Sequence, residues 1–101
     1  MDKREAIAIA ENYIESIRTK YVIKKAMLFG SFAAETNRAD SDIDIAIVLK
    51  SNTDIIDTQI ELMKLRRKID LRIEPHPFFE KDFNTSNPVA SEILKCGINL
   101  I

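Results

Sequence analysis

Two short stretches decide how this chain is expected to fold: KKAMLF at residues 24–29, closed by Gly30, and DIDIAIVL at residues 42–49. The first is a short apolar run stopped by a glycine, which predicts a strand followed by a turn. In the second, isoleucine alternates with other residues, and a period of two predicts a strand with two distinct faces. Asp42 and Asp44 would share one face, with α-carbons roughly 6.5 Å apart.

A third strand is predicted at residues 69–74, where isoleucine and leucine alternate with Asp70 and two further charged residues. The alternation would bury the apolar side chains and fix the direction in which Asp70 points. Pro75 and Pro77 follow, and we expect them to break regular structure because proline lacks a backbone N–H.

The segment between the second and third strands predicts a helix from Thr53 to about Lys68, with Ile56, Ile60 and Met63 facing inward. Its basic last turns suit the negative end of a helix dipole. A helical crossover favours a parallel arrangement of the strands it joins. Both strand starts, with their aspartates, would then lie at one end of the sheet.

Helices are also predicted from residue 2 to about 19 and from Asn87, with Pro88 in its first turn, to Gly97. The fold class is therefore α+β, one domain over residues 1–101 with the element order α-β-α-β-α-β-α. If the first strand runs antiparallel to the second, five residues lie together at one edge of a mixed sheet. They are Gly30, Ser31, Asp42, Asp44 and Asp70.

Composition limits the classes of function. The chain has 101 residues, 46% hydrophobic, with 15 basic and 16 acidic side chains, which is the balance of a small globular protein. A net charge of −1 disfavours direct nucleic-acid binding, which needs a basic excess. We expect a cytoplasmic protein with no membrane association, because the single cysteine cannot form an internal disulfide and no signal peptide or apolar span is present.

The predicted acidic cluster suggests metal-dependent phosphate chemistry. Two like charges 4 Å apart repel by about 4 kcal/mol at an effective dielectric of ~20. A group of three carboxylates is therefore stable only if it is well solvated, shares a proton or binds a cation. Oxygen ligands suit Mg²⁺ or Mn²⁺ better than Zn²⁺. Gly30 would let a backbone approach a ligand closely, and the Ser31 hydroxyl could donate to a phosphate oxygen. Together these features indicate a nucleoside triphosphate site.

Gly30-Ser31, ten intervening residues and then Asp42-Ile43-Asp44 before an apolar run resemble the signature of the DNA polymerase beta-like nucleotidyltransferases, and above all their minimal (MNT) branch. Asp70 matches the third catalytic carboxylate of that family. The resemblance implies a mixed-sheet nucleotidyltransferase fold. It also implies two Mg²⁺ ions on the three aspartates, which are the catalytic residues, and the phosphates of ATP on Gly30 and Ser31.

The same resemblance implies a partner. Minimal nucleotidyltransferases are typically paired with a helical HEPN toxin, which they neutralise by binding and, in some systems, by transferring AMP from ATP to a tyrosine. A chain of 101 residues is expected to take its acceptor from such a partner or from a second copy of itself. Many members carry a basic residue and a glycine where this sequence has Ala34 and Glu35. That departure favours an alternative: an antitoxin that acts by complex formation with little or no catalysis.

Residues outside the motif are expected to have structural roles. His76, between two prolines, is predicted to be an exposed loop or partner-contact residue. Cys96 is predicted to be a small buried residue of the last helix. The aromatic side chains near the end of the chain are expected to cover the sheet; they are Phe78, Phe79 and Phe83.

Overall fold

The computed structural model describes residues 1–50 and 54–101, so Thr53, the predicted start of the second long helix, lies outside the described residues. The helices and strands are α1 (Lys3–Ile17), β1 (Ile23–Phe29), α2 (Ser31–Ala34), β2 (Ile43–Leu49), α3 (Ile55–Leu65), β3 (Ile73–Phe79), α4 (Pro88–Cys96) and β4 (Ile98–Asn99). Short 3-10 turns follow α3 and β3. Within the described residues the strands form one sheet in the order β3-β2-β1-β4.

The sheet is mixed, as predicted. β1 pairs antiparallel with β2, and β2 pairs parallel with β3 across the α3 crossover. The sequence did not predict β4, a two-residue strand antiparallel to β1 at the end of the chain. The α+β class is confirmed, and the first strand leads into Gly30 at the end of the sheet where β2 starts.

The two faces of the sheet are covered by different helices. α1 and α3 cover one face, packing against the inward isoleucines of β2, and α1 presents the predicted apolar stripe. The buried side chains of that stripe are Ala6, Ala10, Tyr13, Ile14 and Ile17. α4 packs on the opposite face, where Ala90 and Ile93 meet Met27, Ala46 and Phe83. Asp44, two residues before Ala46 in β2, lies on this same second face.

β3 begins at Ile73, so the prediction of a strand over residues 69–74 is wrong, and so is the expectation that Pro75 and Pro77 end regular structure. The reason is the edge position of β3. Ile43 donates its N–H to the carbonyl of Arg72, so in this parallel ladder the odd-numbered residues that follow turn their backbone outward. The missing proline N–H groups therefore cost no ladder hydrogen bond, and the prolines protect the edge against further pairing.

α3 is rotated relative to the prediction. Ile56 and Ile60 are 67% and 49% exposed, whereas Thr58 and Leu62 are buried. The Gln59 side chain lies on the packed side of the helix and donates to the carbonyl of Pro75 at 2.8 Å. The side chain of Arg66, just after α3, donates a hydrogen bond to the carbonyl of Ile73. These hydrogen bonds satisfy the outward carbonyls of β3, so the helix turns its polar donors toward the edge strand.

The C-terminal helix follows the prediction at both ends. The Asn87 side chain accepts hydrogen bonds from the N–H groups of Val89 and Ala90, Pro88 stands in the first turn, and Gly97 follows the last residue. Cys96, predicted to be buried, is exposed, because this last residue of α4 borders a cavity that is open to solvent. In the described residues no helix is both long and apolar enough to span a bilayer.

Candidate active site

Asp44 lies at the centre of the polar end of the sheet. It is the second residue of β2, opposite Phe29 of β1 and opposite Glu74 of β3. Paired residues on neighbouring strands project from the same face, so Glu74 shares the face of Asp44. Asp42 directly precedes β2 and is exposed. Of the two aspartates, Asp44 thus lies in the predicted strand and Asp42 just before it.

Gly30 is in direct contact with the Asp44 side chain. Its backbone has φ +75° and ψ −151°, a conformation that is essentially restricted to glycine. A Cβ at this position would collide with Oδ2 of Asp44 and lie 3.2 Å from its Cγ. Ser31 then opens the short helix α2, whose first N–H groups have no partners within the helix. The structure therefore brings the predicted glycine-serine turn and Asp44 together.

A cavity of about 390 Å³ opens beside this turn, between α2 and α4. Phe29, Gly30 and Ser31 line one side, and Glu92 and Cys96 of α4 line the other. Its volume lies within the range of roughly 300–1,000 Å³ that is usual for small-ligand sites. A ligand in this cavity would be in contact with the glycine-serine turn.

His76 is the residue that sequence analysis missed. It lies in β3, not in a loop, and its Nε2 is 3.1 Å from Oδ1 of Asp44. The imidazole ring also meets the ring of Phe29 edge-on, with centroids 4.9 Å apart. The available signal was the spacing of His76 two residues after Glu74, which places both on one face of a strand. That signal becomes visible only once the strand is known to continue through the prolines.

The third predicted aspartate, Asp70, lies outside the strands of the sheet. It lies in the turn before β3, where its carboxylate accepts two hydrogen bonds from the Arg72 side chain, at 2.9 and 2.7 Å. These bonds hold the pKa of Asp70 below its usual value. The bonds to Asp70 also raise the pKa of Arg72, and the charge of Glu5 in α1 adds a smaller effect in the same direction.

The predicted three-aspartate cluster is therefore not assembled in this arrangement. In the part of the chain that the structure describes, no three histidine, cysteine, aspartate or glutamate side chains are grouped so that they could hold a metal ion. The carboxylates closest in register are instead Asp44 and Glu74, with Asp42 beside them in sequence. All are oxygen donors of the kind that Mg²⁺ prefers.

Comparison with solved structures shows the same fold in several proteins. A candidate nucleotidyltransferase from Sulfolobus solfataricus superposes with a TM-score of 0.68 at 18% identity, over 96% of this chain and 80% of that one. A toxin-antitoxin complex crystallised with AMP-PNP gives 0.65 at 26% identity, over 90% and 72%. The complex of a tri-AMPylated Shewanella oneidensis HEPN toxin with its MNT antitoxin gives 0.60 at 22% identity, over 94% and 71%.

No curated protein sequence matches the chain significantly. The family model described as "Polymerase beta, Nucleotidyltransferase" matches residues 11–101, which contain the glycine-serine turn, both strands of the acidic face and α4. Since the match covers most of the sequence, the resemblance noted for the Gly30-Ser31 and Asp42-Ile43-Asp44 motifs is confirmed. This chain is a member of the polymerase beta nucleotidyltransferase family.

Proposed function

We propose that this protein is a Mg²⁺-dependent nucleotidyltransferase that transfers AMP from ATP to a hydroxyl group of a partner protein and releases pyrophosphate. We further propose that the partner is a helical HEPN-type toxin and that the chain is its antitoxin. The observation that carries the proposal is the direct contact of Gly30 with the Asp44 carboxylate, which puts the glycine-serine turn next to an acidic sheet end and beside the cavity. The related complexes with AMP-PNP and with an AMPylated HEPN toxin support the choice of nucleotide and partner.

Each residue of the site has a role in this proposal. Gly30 has no side chain, so the phosphates can approach the backbone, and Ser31 supplies a hydroxyl donor and the N–H groups of the first turn of α2. The cavity beside them would exclude water from part of the nucleotide. Asp42 and Asp44 would hold the divalent cation. When bound, that cation neutralises phosphate charge and stabilises the attacking and leaving oxygens.

We propose Glu74, in place of Asp70, as the third carboxylate. Its side chain must turn toward Asp44 for the two to share a cation, because no three such side chains of the described residues are grouped around a metal position in this arrangement. Glu74 lies opposite Asp44 on the same face, whereas Asp70 is held by Arg72 in the turn before β3. A carboxylate at position 74 could also accept the proton from the acceptor hydroxyl. Sequence matching alone selects Asp70, so variants of the two residues distinguish the assignments.

Label transfer from α-labelled ATP, with Mg²⁺ and the HEPN-type protein encoded by the neighbouring gene, tests the function. We expect Asp42→Asn, Asp44→Asn and Glu74→Gln each to reduce transfer by at least 100-fold. Asp57→Asn, an equivalent change on α3, should leave transfer unchanged. Failure of the native protein to label its bound partner would refute the catalytic proposal. If Asp70→Asn loses most of the label transfer and Glu74→Gln loses none, Asp70 is the third carboxylate.

One feature favours a second candidate function, neutralisation by binding alone. Glu35, at a position where related sequences have glycine, adopts a left-handed conformation with φ +59° and pairs with Lys3 at 3.6 Å. Glu35 ends the short helix that Ser31 begins, and an acidic side chain on that helix disfavours a triphosphate there. If this second function is the correct one, a protein with both Asp42→Asn and Asp44→Asn will bind the toxin and still neutralise it. Bound but active toxin would exclude it.

A further inference from the structure

His76 has a contact that the proposed chemistry leaves unexplained. Its Nε2 meets one oxygen of Asp44, Oδ1, at 3.1 Å, while the other oxygen, Oδ2, is the atom nearest to the Cβ position of Gly30. When the Asp44 carboxylate is ionised, as a metal ligand is, it can only accept hydrogen bonds, and the Nε2 atom is then the donor. The two oxygens of Asp44 therefore have different neighbours: one is bound by the imidazole, and the other faces the glycine-serine turn.

The imidazole is itself held in place. β3 fixes the backbone of His76, which lies opposite Ala46 in the parallel pairing with β2. The edge-on contact with Phe29 restricts rotation of the ring. The His76 side chain is 37% exposed and that of Asp44 is 25% exposed, so the hydrogen bond is partly shielded from water. A donor supported in this way can restrict the rotation of the carboxylate that it binds.

We propose that His76 is a positioning residue of this site: by donating from Nε2 to Oδ1, it orients the Asp44 carboxylate so that Oδ2 is presented to the cation-bound nucleotide at Gly30. The inference rests on the proposed function and adds a residue to its site. Hydrogen-bond partners behind metal-binding side chains fix ligand orientation, and their removal typically costs 10–100-fold in metal affinity. His76 itself need not touch the nucleotide.

Binding of Mn²⁺ alone, followed by the electron paramagnetic resonance signal of the free ion, tests the proposal without relying on activity. His76→Leu keeps an apolar side chain against Phe29 but removes the donor, and we expect Mn²⁺ affinity to fall 10–100-fold. His76→Gln carries an amide donor of similar reach and should recover most of that loss. In an Asp44→Asn background, His76→Leu should have no further effect, because its influence passes through Asp44.

The outcomes separate this inference from the proposed function. Unchanged or tighter Mn²⁺ binding by His76→Leu, together with a clear loss in Asp44→Asn, would overturn the positioning role and leave the metal site intact. An Asp44→Asn protein that binds Mn²⁺ like the native chain would overturn both. An equal loss from His76→Leu with and without Asp44 would assign His76 a general structural role and reject the proposal.

A measurement on the native protein covers the case in which the leucine variant does not fold. The chain has a single histidine, so the ring nitrogen resonances of His76 need no further assignment. Addition of Mg²⁺ and AMP-PNP should shift the Nε2 resonance, because the carboxylate that it binds becomes a metal ligand. Saturating nucleotide and metal that leave this resonance unmoved would contradict the proposal.

Discussion

Replacing Gly30 with alanine perturbs the one backbone position on which the site geometry depends. At φ +75° and ψ −151° an alanine is strained, and such conformations cost of order 1–3 kcal/mol. The new Cβ would also collide with Oδ2 of Asp44, so either the turn or the carboxylate must move. A loss of about 2 kcal/mol corresponds to a fall in Tm of roughly 8–16 °C for a domain of this size.

Thermal and urea unfolding measure the first effect, and calorimetric titration with AMP-PNP and Mg²⁺ measures the second. Ser31→Ala is the matched control for the unfolding measurement alone, since it keeps the backbone and removes only the hydroxyl, which is proposed to bind phosphate. We expect the control to unfold within about 0.5 kcal/mol of the native protein, as surface substitutions usually do. Gly30→Ala should be less stable and bind nucleotide more weakly. If Gly30→Ala unfolds and binds like the native chain, the contact with Asp44 has been misassigned.

Three further substitutions test individual contacts by chemical or thermal unfolding. Asp70→Asn should destabilise the fold slightly at pH 7, because Arg72 lowers the folded-state pKa of Asp70. The difference in stability from the native protein should vanish as the pH falls through that pKa. A difference that persists in acid would contradict this role of Arg72. Glu35→Gly should stabilise by up to about 1 kcal/mol, since it relieves a left-handed non-glycine residue, and a loss of stability would show that the ion pair matters more. Tyr13→Phe should cost about 0.5–1.5 kcal/mol, because the buried hydroxyl donates to the carbonyl of Leu62 at 2.7 Å; an unchanged urea midpoint would refute this.

Local periodicity was sufficient for the elements whose apolar residues follow a regular spacing. The isoleucines of β2 have the predicted period of two, the α1 stripe is buried as predicted, and Asn87 begins α4 with the expected cap. The helical crossover also gave the parallel pairing of β2 with β3. These features follow from short-range patterns combined with the requirement to bury apolar surface, which a single sequence displays directly.

The errors share a cause that short-range patterns do not contain, namely position within the sheet. A proline disrupts a central strand but fits the outer edge, so the start of β3 was placed too early and Asp70 was put in a strand. The rotation of α3 depends on hydrogen bonds from Gln59 and Arg66 to that same edge. His76 was overlooked for the same reason.

The most direct test of the central claim is a crystal structure with AMP-PNP and Mn²⁺, in which anomalous scattering locates the metal. We predict a metal ion bound by the carboxylates of Asp42, Asp44 and Glu74, with the nucleotide phosphates against Gly30 and with Asp70 still bound to Arg72. A metal ion bound by Asp70, or a nucleotide bound away from the Gly30 turn, would contradict the account.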